Sequence, residues 1–148
     1  MSSSWENFEE LIKEEMRKVY SEATIEHATN PRNIGHLDDA DGFAGLKGPC
    51  GDTMQIWLRM KNDSVSDAGF LTDGCGTSIA SGSMVTEMAK GKSIAECQKI
   101  SQESVLDALG GLPEESQHCA LLAANTLKEA IKDYITMKKE PWKKSYRR

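Results

Sequence analysis

Trp5, Phe8, Ile12, Val19, Tyr20 and Ala23 recur at helical spacing, with Glu and Lys between them. Ser3 followed by Glu6 forms a capping-box pattern in front of them. The spacing predicts one long amphipathic helix, or two short ones, to about Thr29. Asn30-Pro31 ends it, because the residue before a proline is pushed out of helical geometry. His36 to Asp41 reads as a polar loop, and Phe43 to Gly48 as a short edge strand. Along Met54-Gln55-Ile56-Trp57-Leu58-Arg59-Met60 the period changes to two, which puts Met54, Ile56, Leu58 and Met60 on one face. Lys61-Asn62-Asp63-Ser64 has turn chemistry. Val65 to Thr72 then returns, with Ala68, Phe70 and Thr72 alternating against Asp67, Gly69 and Asp73. The pattern predicts an antiparallel hairpin covered by helices on one face.

From Cys75 the pattern is helical to Lys90, with Gly91 placed as a C-cap. Ser93 and Glu96 form a second capping box, opening a short helix to about Ile100, and another runs from Ser101 to Leu109. Gly110-Gly111-Leu112-Pro113 breaks the chain. The last helix begins near Glu114 and runs to about Lys138, with Ala120, Ala123, Leu127, Ile131 and Tyr134 on one stripe. Helix, then strands, then helices, without βαβ alternation, predicts an α+β fold with long terminal helices. Residues 1–148 are expected to form a single domain, with 1–4 and the basic tail 139–148 flexible.

Composition narrows the class. A chain of 148 residues has room for one domain with a real core. A charged share of 28% and a net charge of −5 describe a soluble, mildly acidic protein. A bulk binder of nucleic acid or of an anionic membrane would be basic, so neither is expected as a partner. No apolar run reaches the length of a membrane span, and the N-terminus carries neither a signal-peptide core nor an Arg-rich transit pattern. With four cysteines that are not closely paired, this points to reduced thiols in a cytoplasm.

The candidate chemistry lies in three places: Cys50 in Gly48-Pro49-Cys50-Gly51-Asp52, Cys75 between Gly74 and Gly76, and Cys119 directly after His118. Cys75 and Cys119 fall near expected helix N-termini, where the helix dipole favours thiolate, the form that binds metal and attacks sulfur. Glycine beside Cys50 and Cys75 lets a bulky metal–sulfur group approach the backbone. Three thiols with Asp52 or His118 make a soft-donor set suited to zinc or an iron–sulfur cluster. There is no Cys-x-x-Cys, so the chemistry alone leaves two readings open, a metal site and inert thiols. Cys97 falls mid-helix and reads as packing. His27 reads as a satisfied surface or helix-end histidine, and His36 lies in a loop without a nearby thiol in sequence. The Ser/Thr run from Thr77 to Ser83 has no nucleophile elbow or base beside it and reads as small residues allowing close packing. Met54, Met60, Met84 and Met88 fit core positions.

At these motifs the sequence resembles the IscU/NifU family of iron–sulfur cluster assembly scaffolds. The blocks that carry the resemblance are Tyr20-Ser21-Glu22 with Glu26-His27, Asn30-Pro31-Arg32-Asn33-Ile34-Gly35, Cys50-Gly51-Asp52, Gly74-Cys75-Gly76 with Ile79-Ala80-Ser81, and His118-Cys119. They stand in family order over roughly residues 19 to 135. The resemblance implies an IscU/SufE-like fold, a three-stranded antiparallel sheet packed against helices. It implies that Cys50, Cys75 and Cys119 hold a nascent [2Fe–2S] cluster, with Asp52 or His118 as the remaining ligand. A [4Fe–4S] product and a homodimer stay open, and zinc is expected to occupy the bare site readily. Iron is one input. Sulfur comes as persulfide from a cysteine desulfurase, with Cys119 as acceptor, and the product passes to apo iron–sulfur proteins. Asp52 is the residue associated with keeping the cluster exchangeable, as a hard carboxylate on a soft thiolate site would be. Such a protein is a scaffold, not an enzyme.

Two departures shape the expectation. Leu112-Pro113-Glu114-Glu115-Ser116 stands where many relatives carry Leu-Pro-Pro-Val-Lys, so the resemblance does not extend to release by an Hsp70-type chaperone. The SufU relatives, zinc-bound persulfide carriers that stimulate a desulfurase, have an insertion between the second and third cysteines and lack the histidine. This chain keeps His118 and leaves no room for that insertion, which favours the scaffold over the carrier.

Overall fold

The computed structural model describes residues 4–49 and 51–142, with side chains from residue 6 onward. Its elements are α1 (Ser4–Arg17), α2 (Glu22–Thr29), β1 (Gly42–Lys47), β2 (Thr53–Lys61), β3 (Ser64–Thr72), α3 (Gly76–Ala89), α4 (Ile94–Gln98), α5 (Gln102–Leu109) and α6 (Gln117–Lys139). A 3-10 turn, Glu114–Ser116, leads into α6. Ser3, and with it the capping box expected at Ser3 and Glu6, lies outside the described residues, as do 143–148 of the basic tail.

The change of period is realised as an antiparallel sheet in the order β1-β2-β3. Asn62 and Asp63 take left-handed backbone angles, φ 55° and 59°, the pair of positive values that a tight hairpin between right-twisted strands requires. Ile56 stands between Ala44 and Phe70, and Leu58 between Gly42 and Ala68, so the inner faces of three strands align. The register slips between Arg59 and Met60, which then opposes Val65 at the rim of the core. One addition was not expected. Asn33 and Gly35 bond to Phe70 through N–H···O contacts of 2.9 and 2.8 Å, covering the outer edge of β3. Gly69 is buried there, and the Gly35 carbonyl occupies the space a Cβ would need.

Helices cover one face of the sheet, α3 over β3 and α6 over β1 and β2. Met54, Ile56, Leu58 and Phe70 from the sheet and Ala120, Ala123, Leu127 and Ile131 from α6 are fully buried in one core. Asp133 of α6 accepts a 2.9 Å hydrogen bond from the Phe43 N–H, occupying a donor on the edge strand. At the far end, Tyr134 and Lys138 reach Asp63 at the hairpin tip, at 2.6 and 2.7 Å. Cys97 is fully buried, as its mid-helix position suggested, and Met54 likewise fills the core.

The N-terminal periodicity resolves into two helices. Ser21 is the reason: its side chain caps α2 by accepting from the Thr24 N–H at 3.0 Å. Its hydroxyl also donates to the Leu109 carbonyl, tying α2 to the end of α5. On α1, Phe8, Leu11 and Ile12 are exposed. Among the described residues, no helix is long and apolar enough to cross a membrane.

Gly82 sets the distance between the layers. A Cβ there would lie within 2.5 Å of Cε2 of the fully buried Phe70 ring. Gly82→Ala would gain about 1 kcal/mol of helix propensity and lose about 1–3 kcal/mol through overpacking. Net destabilisation is expected, read as a lower denaturant midpoint at unchanged slope.

Candidate functional site

Layer packing brings one end of three strands and the N-termini of two helices together. Cys75 is the N-cap of α3, with extended backbone at φ −77° and ψ −173°. Cys119 is the third residue of α6, and His118 the second. Asp52 lies just before β2, in a loop whose ends are tied by the Gly48 N–H donating to the Asp52 carbonyl at 2.7 Å. Gly51 has φ +87°, a conformation that favours glycine. Cys50, expected as the first thiolate of the site, lies outside the described residues.

Two hydroxyls of the first turn of α3 join these side chains. Thr77 Oγ1 lies 3.1 Å from Cys75 Sγ and 3.4 Å from Cys119 Sγ. Ser78 Oγ lies 3.4 Å from Cys119 Sγ and donates to Asp52 Oδ2 at 3.3 Å. His118 Nε2 is 3.7 Å from Cys119 Sγ. Thus Asp52, Cys75 and Cys119 are brought to one place through hydroxyls, and His118 joins them by its direct contact with Cys119. Among the described residues, no three His, Cys, Asp or Glu side chains already stand close enough to hold one metal ion. Gly74 makes the approach possible: a Cβ there would lie 2.6 Å from Ser78 Cβ and 2.9 Å from Asp52 Oδ2.

The thiols differ in environment. Cys75 is exposed, whereas Cys119 is buried at 1% exposure beneath Thr77 and Ser78. The Thr77 hydroxyl holds the Cys75 thiol below its usual range, helped by the backbone N–H groups of Thr77 and Ser78 and opposed by partial burial. Cys97 goes the other way, pushed up to about 11 by burial in the core. A cavity of about 160 Å³, lined by Met16, Tyr20, Ile25 and Ala28 among others, opens beside Cys75.

Thr77 and Ser78 were read from the sequence as small packing residues, and that reading holds further along the helix. Ser81 donates back to the Thr77 carbonyl at 2.7 Å, and Gly82 meets Phe70. Their site role had one sequence signal, the second and third helical positions behind an N-cap cysteine, where donors point towards the cap. His27 is half-buried, with Nδ1 2.7 Å from Ser83 Oγ, so it is a satisfied histidine on α2 away from the thiols. His36 pairs with Asp38 at 3.1 Å and meets the edge of Trp57, also outside the site.

Fold and donor set define an α+β domain with thiols, an imidazole and a carboxylate gathered at one end of its helical layer. The family model described as the NifU-like N-terminal domain matches residues 19–141. The chain is 48% identical over 118 residues to "Iron-sulfur cluster assembly scaffold protein IscU 1" of Archaeoglobus fulgidus, covering 79% of this chain and 77% of that one. It is 42% identical over 122 residues to the IscU scaffold protein of Escherichia coli, covering 78% and 94%. A crystal structure of the N-terminal part of a NifU-like protein from Brucella abortus superposes with a TM-score of 0.66, covering 81% and 96% at 22% identity, and shares the fold. The chain belongs to the NifU-like N-terminal domain family, as its motifs implied.

Alkylation of the metal-free protein should separate the thiols. Cys75 should react with iodoacetamide with a midpoint below the ordinary thiol value of 9.0, because its thiolate is favoured in the folded state. Cys97 should react only after unfolding. Peptide mass mapping against pH reads both.

Proposed function

We propose that this chain is a scaffold on which an iron–sulfur cluster, of the [2Fe–2S] type, is assembled and then handed to apo-proteins. The observation that carries the reading is the convergence of Asp52, Cys75 and Cys119 through the hydroxyls of Thr77 and Ser78, with His118 in direct contact with Cys119. Kinship with proteins named as iron–sulfur cluster assembly scaffolds supports it. Cys50, Cys75 and Cys119 supply soft thiolates, and Asp52 or His118 the fourth donor. Iron and sulfur are cargo, so the chain turns over no substrate of its own.

Sulfur arrives as persulfide from a cysteine desulfurase. The Cys119 thiolate attacks the outer sulfur: a new S–S bond forms, the old one breaks, and its electron pair leaves on the desulfurase cysteine. Two electrons and one proton, from an external thiol reductant, then release the sulfur as hydrosulfide. Because Cys119 is buried at 1% exposure, its first turn must open for the donor to reach it. Asp52 is a hard oxygen on a soft site and so the ligand most readily exchanged when cargo leaves.

The test is anaerobic. Metal-free protein given ferrous iron, cysteine, a thiol reductant and a desulfurase should develop a visible sulfide-to-iron charge-transfer spectrum. That spectrum should move to apo-ferredoxin on mixing. Cys75→Ser should prevent its appearance, and Asp52→Ala should slow its departure. Faster desulfurase turnover with a persulfide on Cys119 and no cluster would replace the scaffold with a persulfide carrier.

A further inference from the structure

Cys119 poses a geometric problem. It sits on α6, Cys75 on α3 and Asp52 on a strand-end loop, so nothing along the chain fixes their mutual distances. A cysteine near a helix N-terminus can turn its sulfur outward to solvent or inward. Here it is turned inward, with two hydroxyl oxygens at 3.4 Å from Sγ. Both hydroxyls belong to buried side chains, Thr77 at 5% and Ser78 at 1% exposure, so water cannot readily take their place.

Each hydroxyl bridges. Thr77 joins Cys119 to Cys75, and Ser78 joins Cys119 to Asp52. A hydroxyl carries one proton and accepts on two lone pairs, so it can serve a donor and an acceptor together. Ser78 donates to Asp52 and so faces Cys119 as an acceptor, while Thr77 can donate to one sulfur and accept from the other. A sulfur held by neither would keep, of these polar contacts, only the His118 ring nitrogen at 3.7 Å.

We propose that Thr77 and Ser78 are positioning residues that hold the Cys119 sulfur inward, towards Cys75 and Asp52, in the metal-free chain. Two hydroxyls thereby keep the donors gathered at one place, and they withhold Cys119 from indiscriminate reaction. The importance of that gathering rests on the scaffold reading, but the positioning itself can be measured with no metal present.

The experiment follows alkylation of Cys75, Cys97 and Cys119 by iodoacetamide at fixed pH, by peptide mass, in the metal-free full chain. The variants are Thr77→Val, Ser78→Ala, the two combined, and Thr77→Ser. Cys119 should react several-fold faster in either single hydroxyl deletion and roughly tenfold or more in the double, since a net hydrogen bond is worth that much in an opening equilibrium. Thr77→Ser should stay near the parent. Thr77 can donate to sulfur, so its loss by itself would weaken a thiolate and slow alkylation, and acceleration in Thr77→Val therefore reads exposure. Cys97, fully buried in the core, is the internal control. An unchanged Cys119 rate in the double variant overturns the proposal. So does acceleration of Cys97 alongside Cys119, which would mark general loosening, or a Thr77→Ser rate equal to that of Thr77→Val. If the parent builds no cluster yet shows the expected alkylation pattern, the scaffold reading fails and the positioning stands. If cluster forms normally while the pattern is absent, the reverse holds.

Discussion

The close seating of α3 on β3 governs both the core and the site. Gly82 presents no Cβ to Phe70, so the helix backbone lies directly on a buried aromatic ring. With α6 laid across β1 and β2, the inner face of the sheet is closed and the fully buried row of Met54, Ile56 and Leu58 is completed. A seating this tight fixes the axial position of each helix as well as its distance, because interdigitated side chains resist sliding. The first turns of α3 and α6 thus arrive at a set place, beside the chain segment that enters β2. Cys75, Cys119 and Asp52 are carried there by the core.

The same sulfur chemistry is used in opposite ways within one small domain. Cys97 is surrounded by apolar side chains, and burial drives its thiol up to about 11, where it is an inert filler. Cys75 meets the Thr77 hydroxyl and the amide groups of a helix start, which favour its thiolate. What separates them is the supply of donors. A thiolate needs donors aimed at it, and a helix N-terminus has them unspent.

Much of this was legible in the residues. Strict alternation from Met54 to Met60 could satisfy only a half-covered strand, and Asn62-Asp63 could close only a tight turn. The Ser93–Glu96 box appears as expected, with both of its reciprocal hydrogen bonds. Less was legible where a local signal competes with another. Ser21 interrupts a continuous apolar stripe, and whether it caps a new helix depends on Leu109, far along the chain, to receive its hydroxyl. The pairing of Asn33 and Gly35 with Phe70 has no periodicity of its own, being two backbone contacts on a strand edge.

The residues by themselves determined which donors exist, which of them stand at helix starts, and which family the chain resembles, since local geometry and motif order are written along the chain. Only the tertiary structure decided that Cys119 is buried and Cys75 exposed, and that Thr77 and Ser78 stand between them and Asp52. Those facts depend on how far apart two packed helices and a loop come to rest. Separations of that kind are set by the close packing of the whole core and not by any one stretch of it.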